Sequence, residues 1–434
     1  MKKLDPSDGD VLPRRYLLAF ALVTSLYFLW GVPANLNDLL IRQFMKSFEL
    51  SRFQAGLIQS AFYLGYFCCS IPAALILQRF GYKRGIVSGL LLYAAGSFLF
   101  WPAAHTHRYG SFLLALYVIA SGLAFLETGA NSFIAEMGTV EGSARRLNFA
   151  QAFNPLGAIS GVIIGTVFIF SGVELTPAQV VAMKAAGTYE AYLDGETGRV
   201  LLPYLAIGLV VMAIAITMMR TTFPSRAEGK PESKLHLSWS AFEKLLFNKR
   251  LMLAVLVQFL YVGAQVCTWS YFIQYAEDYV RTGEKTGGYL LTGSLVIFAI
   301  GRFSGSYLMR WVRSSVLLIV YAVCNIVLLL LAVLKPGSAG LYALFATSFF
   351  MSIMYPTIFA IGLGAVDENV EVAGAILVMS IIGGAVVTPV VGLAAELSHS
   401  MAHALGLLLI CYFAIITLGV TSLSRRTSDK AITH

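Results

Sequence analysis

Glu127 stands inside a long apolar run, residues 110–138, with no Lys, Arg or Asp beside it. A carboxylate in hydrocarbon costs roughly 2.5–3.5 kcal/mol on insertion scales, so such a residue implies a partner or a use. Asn131 follows one helical turn later, on the same face. Gly129 and Ala130 between them allow another helix to approach closely. A second acid, Asp38, ends the first apolar run and shares a face with Asn35, three residues earlier. Pro33 removes a rung of the hydrogen-bond ladder just before it and predicts a kink. A solvated helix end is the alternative reading of Asp38. Asn148, Gln151 and Asn154 recur at three-residue spacing in the fifth run. Amides both donate and accept hydrogen bonds, which suits a ring of sugar hydroxyls, or else glue between helices.

The second half of the chain is polar without deep acids. Gln258, Tyr261 and Gln265 approximate one face of the seventh run. Trp269 follows, suited to stacking on the apolar face of a sugar or to marking a membrane interface, where Trp is common. Tyr355 precedes Pro356, which predicts a kink in the tenth run, while Gly383-Gly384 marks a close or flexible point in the eleventh. Arg302 lies within the eighth run among small residues and reads as a structural cation paired with a carbonyl or an acid. The five cysteines all fall in apolar runs and read as small packing residues. No phosphate loop, nucleophile elbow or metal-ligand spacing is placed where chemistry could use it, which argues against an enzyme, a cofactor or a metal.

The elements that must position these groups are membrane spans. The chain has 434 residues, 58% hydrophobic and 12% charged, against about 25% charged in soluble domains. Twelve apolar runs are long enough to cross a bilayer, at 16–40, 54–78, 85–105, 110–138, 147–172, 200–219, 251–275, 288–309, 314–334, 338–365, 373–396 and 403–424. The expected fold is an all-α membrane protein in two six-helix halves, 1–219 and 251–434, joined by a basic linker at 220–250. Residues 240–247 of that linker predict a short amphipathic helix on the membrane surface. With both termini inside, the cytoplasmic segments carry 21 Lys and Arg and the external ones 9, which fits the positive-inside rule. The net charge of +8 is therefore a topology signal and not a nucleic-acid one. Met1 to Pro13 is polar, so no secretory signal peptide is expected.

Leu26-Tyr27-Phe28 in the first span is echoed by Leu260-Tyr261-Val262 in the seventh, a weak internal repeat. Carriers built from such parallel repeats hold substrate between the halves near the midplane. The motifs Asn35–Leu39, Phe53–Tyr63, Leu126–Thr128, Phe259–Gln265, Trp269–Tyr271, Met351–Ile353 and Tyr355–Phe359 carry a specific resemblance. Through them the chain resembles the fucose–galactose–glucose:proton symporters of the major facilitator superfamily, over residues 16–424. The resemblance implies a monomeric, multi-pass protein of the bacterial cytoplasmic membrane, importing a monosaccharide with a proton by alternating access. It implies proton handling by Glu127 and Asp38. Asn35, Asp38, Gln151 and Asn154 then contact sugar, joined on the residue reading by Asn131, Gln258, Tyr261, Gln265, Trp269 and Tyr355. The chain departs from the family pattern at Ala34, Gln78, Ser132 and Pro155. Proton-driven efflux of a sugar or drug is the competing reading. A membrane sugar sensor that moves nothing is a third, disfavoured because no loop is long enough for a signalling domain.

Overall fold

The structure, a computed structural model, describes residues 17–50, 52–106, 108–137, 142–169, 175–221, 239–282 and 284–432. Every regular element among them is helical. In chain order they are α1 (Leu17–Ser47), α2 (Arg52–Phe98), α3 (Phe100–Thr106), α4 (Tyr109–Glu136), α5 (Ser143–Gln151), α6 (Asn154–Ile164), α7 (Pro177–Ala185), α8 (Tyr189–Gly198), α9 (Leu201–Arg220) and α10 (Trp239–Leu246). There follow α11 (Lys249–Ser270), α12 (Phe272–Val280), α13 (Glu284–Leu308), α14 (Ser314–Leu334), α15 (Ser338–Met351), α16 (Met354–Leu363), α17 (Val370–Met379), α18 (Gly383–Ser398), α19 (Met401–Leu405) and α20 (Leu408–Ile432).

Ten stretches of the described residues are long and apolar enough to cross a membrane. One of them, Leu57–Thr106, runs for 50 residues and contains two expected crossings. They meet at Gly81, whose φ of 81° and ψ of 166° interrupt the helix in a region open only to glycine. Leu18–Ala34 adds a further apolar helix, so over the described residues each of the twelve expected runs falls on helical elements. Ile163, Leu209, Val327 and Ile410 are each more than half exposed, as expected where lipid and not water is the solvent. α1 continues through Pro33 and α18 through Pro389. The fifth and tenth spans, by contrast, break, at Ala152–Phe153 and at Ser352–Ile353. The predicted linker helix is present as α10.

The chain divides into two compact units. One comprises Leu26–Gly129 and Leu156–Phe223, and the other Met1–Ser25, Ala130–Pro155 and Pro224–His434. In the first unit α6 meets α1 through small residues. A Cβ on Gly157 would overlap the carbonyl oxygen of Phe28, and one on Gly161 would stand 2.5 Å from that of Val32. This Gly-xxx-Gly spacing lets two backbones touch where lipid supplies no hydrophobic drive between helices. The second unit uses the same device, with Gly383 against the Phe259 carbonyl. Gly157→Ala is expected to push α6 off α1 and lower unfolding stability by ~1–3 kcal/mol, as overpacking does. Thermal unfolding in detergent checks this, and an unchanged midpoint would show that α6 shifts freely.

Between the fifth and sixth expected spans the chain carries α7 and α8. Thr176 opens α7 with a reciprocal cap: its hydroxyl accepts from the Gln179 backbone, and Gln179 Oε1 accepts from the Thr176 N–H at 2.8 Å. Glu196 of α8 is buried. It accepts from Gln43 Nε2 at 3.0 Å and pairs with Lys46 at 3.1 Å, tying α8 to the end of α1. Glu49, beyond that end, accepts from Tyr189 at 2.9 Å and Lys184 at 3.2 Å. These bonds hold its carboxyl below the usual carboxylate range, so the tether is intact above that range and is lost as pH falls through its folded pKa.

Candidate functional site

In the first unit, α4 carries Glu127 to a buried position. The Tyr66 hydroxyl of α2 hydrogen-bonds to it, and Tyr66 is itself buried. A phenol stabilises a carboxylate without neutralising it, so the acid keeps a reason to take up a proton when sealed from water. α1 contributes Asn37, also buried, whose amide donates to Gln59 Oε1 at 3.0 Å. Asn35 and Asp38 fall on α1, but their side chains lie outside the described residues. Tyr66 escaped the sequence reading. Its signal was slight: Tyr63 and Tyr66 lie three apart in a run otherwise read only as apolar, opposite a span with an acid and no cation.

The second unit gathers the amides. Gln151, the last residue of α5, donates from Nε2 to Asn131 Oδ1 of α4 at 3.1 Å, and both are buried. Asn148 donates to the Thr357 hydroxyl at 3.0 Å and to the Ala144 carbonyl at 2.8 Å. Asn148 therefore acts as glue between α5 and α16. The break at Ala152–Phe153 means that the stripe is not one continuous face: Asn154 opens α6 and is half-buried. Arg146, not singled out from sequence, caps α4 by donating to the Ile134 and Ala135 carbonyls at 3.2 and 2.9 Å.

On α11, Tyr261 is fully buried and its hydroxyl donates to the Met351 carbonyl at 2.8 Å, at the end of α15. Trp269 donates to the Ser348 hydroxyl at 3.1 Å and packs edge-on against Phe298. Gln265 is half-buried, and Tyr355 is buried on α16 near Phe359. Gln258 is different. It has no exposed surface, and neither its Nε2 nor its Oε1 finds a hydrogen-bond partner among the described residues. A buried amide left unsatisfied costs ~1–3 kcal/mol. Such a group points to a water or ligand as its missing partner. Arg302 donates to two carbonyls, of Ser352 and Gln151. Among the described residues no three His, Cys, Asp or Glu side chains gather as a metal would need.

The Major Facilitator Superfamily matches residues 16–388. The chain belongs to the Major Facilitator Superfamily. It is 40% identical over 406 residues to the L-fucose-proton symporter of Escherichia coli (strain K12), covering 93% of this chain and 92% of that protein. It is 33% identical over 389 residues to the glucose/galactose transporter of Brucella abortus biovar 1 (strain 9-941), covering 88% and 89%. The crystal structure of the E. coli fucose:proton symporter matches with a TM-score of 0.86 at 39% identity, over 94% of this chain and 99% of that one. A second crystal structure, of a superfamily transporter in the outward conformation, matches at 0.85 with the same coverage. As a superfamily member this chain is a multi-pass transporter.

Proposed function

We propose that the protein is a proton-coupled symporter that imports a monosaccharide, an L-fucose-like 6-deoxyhexose or a hexose, across the bacterial cytoplasmic membrane. The observation that carries this reading is Glu127, an acid buried in a spanning helix and hydrogen-bonded to the neutral Tyr66. Fucose-proton symport by the E. coli relative and glucose/galactose transport by the Brucella relative support the substrate class. In an outward-open state water ionises Glu127. Protonation removes the cost of burying its charge, and sugar binding then favours closure. Opening inward rehydrates the acid and releases both proton and sugar. The sugar contacts are drawn from Asn35, Asp38, Asn131, Gln151, Asn154, Gln258, Gln265, Trp269 and Tyr355. Tyr261, whose hydroxyl donates to the Met351 carbonyl, completes the candidate set. The expected halves, 1–219 and 251–434, act as one monomer with the proton as coupling ion.

Proteoliposomes test this directly. Labelled L-fucose, D-glucose, D-galactose and a pentose are each offered with and without an inward proton gradient. At least one of the first three is expected to accumulate only with the gradient, and accumulation of none refutes the reading. Uptake accelerated by an outward gradient would favour efflux instead. Topology has its own check. Cysteines placed at Ser233 and Thr188 are expected to react with impermeant reagent from opposite sides, the first from the cytoplasm. Labelling of both from outside would overturn the arrangement with cytoplasmic termini.

A further inference from the structure

Two prolines each remove a backbone donor in the second unit. In a helix the carbonyl of residue i accepts from the N–H of residue i+4. Pro155 stands four residues after Gln151, and Pro356 four after Ser352. Neither proline has an N–H, so both carbonyls lose their ordinary helical donor, and both spans break just there, at Ala152–Phe153 and Ser352–Ile353. One side chain supplies both missing donors. Arg302 of α13 donates from Nη1 to the Gln151 carbonyl at 2.7 Å and from Nε to the Ser352 carbonyl at 2.8 Å. Arg302 is 5% exposed, and its guanidinium lies over the Phe298 ring, 4.8 Å from its centre. Gly301 beside it brings α13 close to α15, where a Cβ would stand 2.5 Å from the Phe349 carbonyl.

We propose that Arg302 is a positioning residue for sugar transport: it clasps the two proline-freed carbonyls and so fixes the turn that presents Gln151 and Asn154. Gln151 carries its amide to Asn131 from the same residue whose carbonyl Arg302 holds. A shift of that carbonyl therefore moves the amide. The rigid fork of arginine reaches two acceptors at once in a fixed geometry, whereas lysine offers a single mobile ammonium. The link to sugar rests on the reading of Gln151 as a substrate contact. The link between Arg302 and the prolines does not.

A double-mutant cycle tests both links in proteoliposomes, using whichever of L-fucose, D-glucose and D-galactose the wild-type protein takes up. The variants are Arg302→Lys, Pro155→Ala, their combination, and Gln151→Ala, each measured for counterflow KM, maximal rate and thermal midpoint. Arg302→Lys is expected to raise KM about tenfold, with a smaller change in maximal rate, as loss of a hydrogen bond from a charged donor does. Pro155→Ala restores an N–H to the Gln151 carbonyl. In that background the same Arg302→Lys change is expected to raise KM about threefold or less. Equal effects in both backgrounds, or a fall in midpoint with KM unchanged, overturn the proposal. If Arg302→Lys alone fails to assemble, the combined variant is expected to assemble, and its failure also overturns the proposal. Should Gln151→Ala leave KM unaltered, Gln151 is no sugar contact. Non-additive midpoints would then still support the clasp, and additive ones would refute it.

Discussion

Glu127→Gln is expected to abolish proton-driven accumulation while sugar counterflow survives. Glutamine imitates the protonated acid in size and neutrality and cannot release a proton. The carrier then has no charge whose burial distinguishes its states, and a change that biases no state cannot couple to one. With sugar on both sides, exchange needs only binding and rocking, and both persist. Tyr66, which hydrogen-bonds Glu127 in the native chain, can still meet the amide oxygen. The measurement is paired: uptake of labelled sugar under an imposed gradient, and exchange without one. Accumulation at the wild-type level by the variant would remove Glu127 as the coupling site and return it to a structural role on α4.

Gln258→Leu is expected to weaken transport and strengthen the fold at once. The native amide is fully buried, and both its polar atoms lack partners among the described residues. Leucine removes that desolvation penalty, so unfolding free energy is expected to rise by ~1–3 kcal/mol. If the amide meets a sugar hydroxyl during transport, counterflow KM rises about tenfold in the same variant. The opposed signs are the diagnostic, since a mere packing residue would not improve stability while losing affinity. A more stable variant with unchanged KM would mark Gln258 as a tolerated core defect. Asp38→Asn is a smaller test of the same kind, expected to impair active uptake. Wild-type accumulation by it would leave Asp38 a solvated helix end.

The spans and the short helix α10 were legible because hydrocarbon imposes a length and a hydropathy that local sequence must meet by itself. Glu127 was legible for the same reason, as an acid among apolar neighbours advertises its own cost. The segment of α7 and α8 was less so. The capping signature Thr176-Pro177-Ala178-Gln179 was present, but α7 and α8 lack a span's length, and Glu196 is buried only by its bonds to Gln43 and Lys46 some 150 positions earlier.

By itself, then, the sequence determined that this chain spans a membrane many times, that it carries one deep acid in its fourth span, and that its polar amides recur at helical spacing. Tertiary structure decided which of those groups meet. Pairing of Gln151 with Asn131, of Asn148 with Thr357 and of Glu127 with Tyr66 joins residues on different helices, and no local periodicity encodes such a partner. It also decided that the amide stripe breaks before Asn154, and that Arg302 closes the two gaps left by Pro155 and Pro356. The physical reason is range. Hydropathy and backbone donors are properties of neighbouring residues, whereas the satisfaction of a buried polar group depends on what packing brings within about 3 Å of it.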